Sequence, residues 1–310
     1  MLDTIIIGAG PAGLSAGVYA ARYLMDHVII GQLTGGLITT SHKVENYPGF
    51  RSITGWDLGL KFVEHAEGLG SQIHMEEVSR LETLETGGFR VSTNGGQYEG
   101  KTVILAYGLQ RRKLQIPGEE RLAGKGISYC ATCDGAFYRD KVVGVVGGSN
   151  TACEAALYLA DLAEHVYLIY RREALRAEPA DVKLVEANSK ISIVYSTNLV
   201  EALGASQLEQ IRIDKPYNGS ELLALDGLFI EVGSYPNHDI IADLNIDLDD
   251  DKLIRVDSGQ RTNVPGVYAA GDITTGSDKF QQVVTAVSEG AIAAMNVHAD
   301  MKKGRVYWCS

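Results

Sequence analysis

The sequence predicts an α/β protein with two domains, each built on a parallel β-sheet. The prediction depends on a pattern that occurs twice, in which an apolar run is followed by a glycine-rich turn and an alanine-rich helix. The first copy covers residues 5–22 and the second covers residues 142–162. Each helix leads into a further apolar run, at 27–30 and at 165–169. This order is typical of the βαβ unit of a parallel sheet, and 310 residues are enough for two such domains.

The ends of the two halves also correspond, and this indicates how the domains are connected. Residues 226–233 (DGLFIEVG) and 265–272 (PGVYAAGD) are both apolar strands that run into a glycine turn. The simplest arrangement inserts one domain into the other. We expect an outer domain of residues 1–112 and 245–310 and an inserted domain of residues 113–244.

Composition and charge argue against two classes of partner. The formal net charge of −11 at pH 7 argues against nucleic acid, because phosphate binding needs a basic surface. No apolar run approaches the ~20 residues that are needed to span a bilayer. The chain enters its first apolar run without the basic segment of a signal peptide. We therefore expect a cytoplasmic protein with neither a nucleic-acid nor a membrane partner.

The first glycine-rich turn meets the full fingerprint of a dinucleotide-binding (Rossmann-like) domain. Gly8, Gly10 and Gly13 follow a predicted strand and open a predicted helix. In this setting the first glycine permits a tight turn, the second lets the backbone approach a pyrophosphate, and the third lets the helix pack on the strand. The acidic residue that usually binds the ribose is missing, since the next strand ends in Gly31-Gln32. That contact must come from Gln32 or from the backbone.

The second glycine-rich turn matches the same fingerprint less well. Gly147, Ser149 and Ala152 occupy its three positions, and the β-carbon of Ser149 crowds a pyrophosphate without excluding it. The strand after this helix ends in Tyr170-Arg171-Arg172, and Arg176 follows one turn later. Arginine at this point fits a 2′-phosphate and favours NADPH over NADH. The alternative is a solvated basic segment in a domain that has lost its nucleotide.

Two closely spaced cysteines form the candidate catalytic site. Cys130 and Cys133 are separated by two residues, so their sulfurs can reach bonding distance and one thiolate can be stabilised by its neighbour. Asp134 follows directly and can move a proton to or from the leaving thiol. A zinc site needs further ligands, usually from a second pair, and Cys153 and Cys309 do not form one. We therefore predict a redox-active dithiol and no metal.

The chain resembles the low-molecular-weight bacterial thioredoxin reductase family over essentially its whole length. The resemblance is carried by KGISYCATCDGAFYRDK (125–141), IIIGAGPAGLSAGVYAAR (5–22), VENYPGF (44–50), VVGGSNTACEAALYL (145–159), YRREALRAE (170–178) and TNVPGVYAAGD (262–272). It implies an FAD-dependent disulfide reductase with two Rossmann-like domains of the three-layer ββα type. It also implies a homodimer that uses NADPH and acts on thioredoxin. Cys133 would be the thiol next to the flavin, and Asp134 the acid.

The resemblance also implies cofactor contacts, residue by residue. In the outer domain they are Gly8, Gly10, Pro11, Ala12, Gly13, Gly31, Gln32, Gly35, Gly36, Leu37, Thr40, Asn46, Ala106, Gly108, Gly271, Asp272, Gln281, Gln282 and Val283. In the inserted domain they are Ser149, Asn150, Thr151, Ala152, Arg171, Arg172 and Arg176. The first set is expected to bind FAD and the second NADPH.

Departures from the family concentrate on the nicotinamide side. Family members usually carry Gly, His and Arg at three positions that are Ser149, Tyr170 and Gln281 in this chain.

The chain also ends in an aromatic segment, RVYWCS (305–310). An aromatic tail of this kind would stack over the flavin of a partner subunit, as in the ferredoxin-linked enzymes that dispense with nicotinamide. Reduced ferredoxin is therefore a second hypothesis for the electron donor. A non-enzymatic flavin redox sensor is a third hypothesis, although a sensor has no need of the proton shuttle at Asp134.

Overall fold

The computed structural model describes residues 1–41 and 44–304 and divides the chain into two compact units. Unit 1 comprises Met1–Gln110 and the described residues from Pro236 onward, and unit 2 comprises Arg111–Tyr235. These limits differ from the expected ones, most clearly at the second boundary. Segment 236–244 belongs to unit 1 because Ile241 and Leu244 pack into the core of that unit, next to Leu81 and Phe89.

The described strands and helices follow the repeated order that the sequence predicts. The strands are β1 (Leu2–Ile7), β2 (His27–Ile30), β3 (Gln72–His74), β4 (Val78–Thr83), β5 (Phe89–Thr93), β6 (Gln97–Leu105), β7 (Gln110–Arg111), β8 (Ile127–Ser128), β9 (Val142–Val146), β10 (His165–Ile169), β11 (Ile191–Val194), β12 (Leu199–Leu203), β13 (Gln210–Tyr217), β14 (Ser220–Ala224), β15 (Gly227–Ile230), β16 (Ser234–Tyr235) and β17 (Val267–Ala269). The helices are α1 (Pro11–Arg22), α2 (Gly55–Gly68), α3 (Glu119–Leu122), α4 (Ala131–Asp134), α5 (Asn150–Leu162), α6 (Pro179–Ala187) and α7 (Val283–Lys302). Short 3₁₀ helices cover Leu37–Thr40, Gly135–Tyr138, Asp239–Leu244 and Gly276–Lys279. None of the described helices has both the length and the apolar character that a membrane span requires.

Unit 1 is built on a seven-stranded sheet. Strands β3, β2, β1 and β6 are parallel neighbours, β17 pairs in parallel with β6, and β5 and β4 continue the sheet in antiparallel fashion. Helices α1 and α7 cover one face and pack closely, since a β-carbon on Gly290 would overlap the carbonyl oxygen of Ala12. The other face is covered by a second apolar cluster, which includes Leu81 of β4, Phe89 of β5 and Ile241.

Unit 2 repeats this layering on a smaller scale. Its five-stranded parallel sheet has the order β11-β10-β9-β15-β8. Helices α5 and α6 pack on one face, and the antiparallel sheet of β12, β13 and β14 packs on the other. The predicted fold class, α/β with one Rossmann-like domain inserted in another, is confirmed.

Glu119 organises the segment that leads into unit 2. Its side chain is buried, with 1% exposure, and its carboxylate accepts hydrogen bonds from the N–H groups of Leu114 at 3.0 Å and Gln115 at 2.6 Å. Gln115 has φ +59°, so these bonds support a left-handed residue. The hydroxyl of Tyr129 donates to the same carboxylate at 2.7 Å. Since Tyr129 lies between β8 and Cys130, Glu119 links this loop to the turn that carries the cysteines.

We expect Glu119→Ala to lower the free energy of unfolding by ~2–4 kcal/mol, because buried N–H groups and a phenol lose a charged acceptor. Urea unfolding followed by circular dichroism measures the change. Glu120→Ala is the matched control, since the Glu120 side chain is 86% exposed and its ion pair with Lys113 is long, at 3.6 Å. Equal effects of the two substitutions would contradict the role assigned to Glu119.

Candidate redox site and nucleotide-binding turns

The two predicted cysteines meet in a disulfide, Cys130–Cys133, at the surface of unit 2. The S–S distance is 2.05 Å. Strand β8 ends just before the pair, and Cys130 caps the short helix α4. The N–H of Cys133 donates to Sγ of Cys130 at 3.1 Å. Because an N–H donor stabilises a thiolate more than a thiol, this contact favours Cys130 as the thiolate when the disulfide opens.

Asp134 is held beside the disulfide by Ser128. The hydroxyl of Ser128 donates to Oδ2 of Asp134 at 2.6 Å and accepts from the N–H of Cys130 at 3.0 Å. The N–H of Asp134 also donates to the carbonyl oxygen of Cys130, at 3.2 Å. The site therefore contains a carboxylate connected to Cys130 through one hydroxyl. No motif in the sequence marks Ser128, whose importance depends on the turn that follows it.

The segment after Asp134 presents an exposed aromatic ring. In the 3₁₀ helix Gly135–Tyr138, the side chain of Tyr138 packs inward against Phe229, with ring centroids 5.4 Å apart. Phe137 points the other way and is 75% exposed. An exposed phenyl ring next to a redox pair offers an apolar contact to a protein substrate. The sequence analysis missed this residue, because a single Phe in a short turn carries no pattern.

Cys153 does not contribute to this site. Cys153 is fully buried in the core of unit 2, and burial, with smaller contributions from Asp181 and Glu154, raises the pKa of its thiol to about 12. Cys309 and the aromatic segment 305–310 lie outside the described residues. Among residues 1–41 and 44–304, no group of three or more His, Cys, Asp or Glu is arranged to hold a metal ion.

The first glycine-rich turn lies at the carboxyl edge of the sheet of unit 1. Gly8 has φ +120°, and a β-carbon there would overlap the carbonyl oxygen of Ala106. A β-carbon on Gly13 would overlap the carbonyl oxygen of Gly8, so helix α1 begins directly against the turn. At Gly10 an added β-carbon would make an ordinary van der Waals contact, since the nearest atom is Cα of Gly36 at 3.6 Å. Of the three fingerprint glycines, Gly10 is therefore the one whose position tolerates a methyl group within the fold, and it is also the one that the fingerprint places against a pyrophosphate.

Most of the other cofactor residues predicted for the outer domain lie at the same edge. Four parallel strands are each followed by a predicted residue, directly or after one residue: β1 by Gly8, β2 by Gly31, β6 by Ala106 and β17 by Gly271. Gly35 approaches the first turn, and its N–H donates to the carbonyl oxygen of Ala9 at 2.8 Å. Neighbouring positions carry the others, namely Gln32 after Gly31, Leu37 and Thr40 in the first 3₁₀ helix, Gly108 after Ala106, and Gln281, Gln282 and Val283 at the start of α7. Carboxyl ends of parallel strands are where such folds bind ligands.

Asp272 and the start of α7 complete this edge. Burial, with a smaller contribution from Glu289, raises the pKa of the Asp272 carboxyl to about 6. The carbonyl oxygen of Asp272 accepts from Nε2 of Gln281 at 3.0 Å. Asn46 donates from Nδ2 to Oε1 of Gln282 at 2.9 Å, which brings these two predicted residues together. In the described part of the chain, the carboxylate of Asp272 has no hydrogen-bond donor of its own.

The second glycine-rich turn is filled differently. A β-carbon on Gly147 would overlap the carbonyl oxygen of Glu231, which is the counterpart of the contact at Gly8. The ring of Tyr170 lies against Gly148, only 2.5 Å from where a β-carbon on that residue would be. Tyr170 is 5% exposed, and its buried hydroxyl finds no hydrogen-bond partner among the described residues. Ser149 occupies the N-cap position of helix α5, where its side chain makes no hydrogen bond to the helix.

Charges of both signs surround the second turn. Burial raises the pKa of Glu231 to about 7, although Arg111 lies 3.5 Å away and opposes the shift. Burial also raises the pKa of Glu154 to about 7, with smaller contributions from Asp181 and Glu178. At the end of β10 the three predicted arginines, Arg171, Arg172 and Arg176, are exposed. The turn is thus acidic close to its backbone and basic at its outer side.

The predicted residues at the start of α5 face this acidic side. Asn150 accepts from the N–H of Glu178 at 2.8 Å and donates weakly to its carboxylate at 3.4 Å. Thr151 is exposed, and Ala152 is fully buried beneath Gly147. The structure therefore brings the predicted residues of α5 to the turn, and the backbone of Arg176 as well, since its N–H donates to the carbonyl oxygen of Gly148 at 2.7 Å. Arg171 and Arg172 follow the neighbouring strand β10.

A family profile described as pyridine nucleotide-disulphide oxidoreductase matches residues 2–290. The chain belongs to this family. Thioredoxin reductase of Mycoplasma genitalium is 38% identical over 304 residues, covering 96% of the chain and 95% of that protein. The structure of Lactococcus lactis thioredoxin reductase in its FR conformation matches with a TM-score of 0.91 at 34% identity, over 98% of this chain and 100% of that one. A ferredoxin-flavin thioredoxin reductase of Clostridium acetobutylicum matches with a TM-score of 0.53 at 32% identity, over 97% and 98%.

Proposed function

We propose that the chain is a flavin-dependent thioredoxin reductase that passes electrons through the Cys130–Cys133 pair to the disulfide of thioredoxin. The observation that carries the proposal is the disulfide itself, with Asp134 hydrogen-bonded beside it through Ser128. The names of the relatives in this disulfide oxidoreductase family support the choice of thioredoxin as the substrate. A homodimer, which the resemblance implies, and a cytoplasmic location, which the sequence predicts, belong to the same proposal.

The exchange with thioredoxin follows from the contacts of the reduced pair. Cys130, stabilised as a thiolate by the N–H of Cys133, attacks one sulfur of the thioredoxin disulfide and forms a mixed disulfide. Cys133 then attacks Sγ of Cys130, which reforms the Cys130–Cys133 bond and releases the second thioredoxin thiol. Two electrons and two protons pass to thioredoxin in all. Asp134 accepts a proton from the dithiol and gives it to a departing thiolate, while the exposed ring of Phe137 contacts the partner.

We expect Cys133→Ser to abolish turnover with thioredoxin, because Cys130 can form the mixed disulfide but nothing can resolve it. With a thioredoxin variant that lacks the second cysteine of its active-site pair, whose thiol would otherwise reverse the attack, Cys133→Ser should accumulate a covalent complex, which non-reducing gel electrophoresis detects. Cys153→Ala is the matched control and should turn over normally, since Cys153 is buried and protonated. Retained turnover in Cys133→Ser would rule out the dithiol route.

The residues at the carboxyl edge of unit 1 fit FAD. The side-chain-free backbone at Gly10 and the N-terminus of α1 would accept the pyrophosphate. The carboxylate of Asp272, without a donor among the described residues, would accept hydrogen bonds from ribityl hydroxyls. Gln32 or the backbone at Gly31 would contact the ribose, and Gln282, held by Asn46, would contact the ring system. Bound FAD supplies the two-electron carrier that a protein dithiol needs, because a disulfide does not accept hydride directly.

We expect Gly10→Ala and Gly13→Ala to separate cofactor binding from folding. Gly10 has φ −89°, and no atom lies closer than 3.6 Å to an added β-carbon, so alanine should leave the fold intact. The same methyl group should block the pyrophosphate and so lower the FAD content. At Gly13 the added methyl group overlaps the Gly8 carbonyl, so alanine should reduce thermal stability as well. Flavin absorbance per protein and the melting temperature are the two measurements. Full FAD affinity in Gly10→Ala would contradict the assigned site.

For the electron donor, different observations favour two candidates. NADPH is favoured by the three exposed arginines, which suit a 2′-phosphate, and by the backbone contact at Gly147. A donor without nicotinamide is favoured by Tyr170, whose ring lies on Gly148, and by the buried acid Glu231 beside the same turn. The similarity to an enzyme named a ferredoxin-flavin thioredoxin reductase supports reduced ferredoxin as that second donor.

Anaerobic mixing with each donor distinguishes the two candidates. If NADPH is the donor, it should bleach the flavin absorbance within turnover time, and Arg172→Ala should weaken the response to NADPH much more than the response to NADH. If ferredoxin is the donor, NADPH should leave the flavin oxidised and reduced ferredoxin should bleach it. Leu24→Ala, which removes an exposed side chain of unit 1, is the control and should respond as the parent does.

A further inference from the structure

We propose that Ser128 is a positioning residue of the dithiol site, which holds the Asp134 carboxylate beside Cys130 during the exchange with thioredoxin. The proposal rests on the function proposed above and adds a residue that the Cys-Ala-Thr-Cys-Asp motif does not contain. Ser128 acts through Asp134, and no contact between the Ser128 hydroxyl and either sulfur atom is needed.

The sheet of unit 2 fixes Ser128 in place. It is the last residue of β8, it is 5% exposed, and it pairs with Phe229 of β15, which is fully buried. The residues that Ser128 contacts lie beyond the strand, in the turn and short helix that carry the disulfide. A hydroxyl on the rigid sheet therefore reaches the segment where disulfide exchange requires a change in geometry.

The hydrogen bonds of Ser128 give it a definite direction. Its oxygen accepts from the N–H of Cys130 at 3.0 Å, and its single proton has two possible acceptors. Oδ2 of Asp134 is at 2.6 Å and the carbonyl oxygen of Cys130 is at 3.3 Å. A short bond to an ionised carboxylate is the stronger of the two, so the proton points to Asp134. Ser128 thus connects the backbone of Cys130 to the carboxylate in one chain of hydrogen bonds.

Asp134 depends on this bond for its position. Its side chain is partly exposed, and among the described residues Ser128 is the one group that donates to its carboxylate. Without the hydroxyl, the carboxylate is free to adopt other rotamers and to take its hydrogen bonds from water. A proton acceptor that leaves its position loses the rate advantage of proximity, even though its chemistry is unchanged.

The same hydroxyl suits both protonation states of Asp134. While the carboxylate is ionised, Ser128 donates to it. When Asp134 has taken a proton from the dithiol, the carboxyl group becomes a donor and Ser128 can turn its own proton to the carbonyl oxygen of Cys130, 3.3 Å away. Asp134 then passes that proton to the thiolate released from thioredoxin. The proton count is balanced, since every proton lost by the dithiol is gained by thioredoxin.

A single-turnover experiment with an isosteric pair of variants tests the proposal. Ser128→Thr keeps the hydroxyl and Ser128→Val replaces it with a methyl group of similar shape. Each protein is reduced with dithiothreitol, freed of reagent without oxygen and mixed with oxidised thioredoxin, and the thioredoxin thiols formed are then counted. This measurement requires no electron donor. We expect Ser128→Val to transfer about tenfold more slowly than the parent, and Ser128→Thr to stay within about twofold.

A double-mutant cycle with Asp134→Asn separates positioning from a structural role. If Ser128 acts through Asp134, the Thr and Val variants should transfer at equal rates once Asp134 is replaced. Two results would overturn the proposal. One is a tenfold difference in transfer rate between Ser128→Thr and Ser128→Val that persists in the Asp134→Asn background. The other is equal transfer rates of these two variants when Asp134 is present. Ser220→Ala is the control, since the Ser220 hydroxyl bonds only within its own hairpin in the described structure. If the parent itself transfers nothing to thioredoxin, the proposed function fails instead.

Discussion

Close backbone packing at the first residue of each glycine-rich turn is the constraint on which both units depend. In unit 1 the carbonyl oxygen of Ala106 occupies the space of a side chain at Gly8, and in unit 2 the carbonyl oxygen of Glu231 does the same at Gly147. Any β-carbon at these two positions would separate the turn from the neighbouring strand of the sheet. The turn could then no longer direct its helix N-terminus to the carboxyl edge of the sheet, where ligands bind in such folds.

Beyond this shared contact the two turns diverge, and the next residues of each turn account for the difference. Unit 1 places Gly10 against Gly36, and no atom lies closer than 3.6 Å to an added β-carbon on Gly10. Unit 2 places the ring of Tyr170 against Gly148 and a β-carbon at Ser149. One fold thus provides an open turn and a filled one. The exposed arginines of unit 2 carry the positive charge that a phosphorylated ribose needs, whereas the ring of Tyr170 fills the turn. The charge of the arginines and the shape of the turn therefore support different electron donors.

Local sequence patterns predicted those features of the chain that have local causes. The βαβ units follow from apolar periodicity, and the Cys130–Cys133 pair follows from spacing alone. Features set by distant contacts were not predictable in this way. Segment 236–244 joins unit 1 because Ile241 packs with residues far away in the chain. Ser128 becomes part of the site only because the turn at Cys130 brings Asp134 back to it, and the burial of Tyr170 needs the helix and strand around it.

The dithiol site shows how a short motif relies on supports outside itself. The motif supplies two sulfurs and a carboxylate, but their geometry comes from Ser128 on one side and from Tyr129, bonded to the buried Glu119, on the other. Both supports belong to unit 2, as do both cysteines. The chemistry that delivers electrons to thioredoxin can therefore be specified by a single unit. The electron donor is a separate matter, since it depends on whether the second turn, with Tyr170 against Gly148, still accepts a dinucleotide. The two functions can then change independently, which is consistent with the similarity of this chain both to a structure named thioredoxin reductase and to one named ferredoxin-flavin thioredoxin reductase.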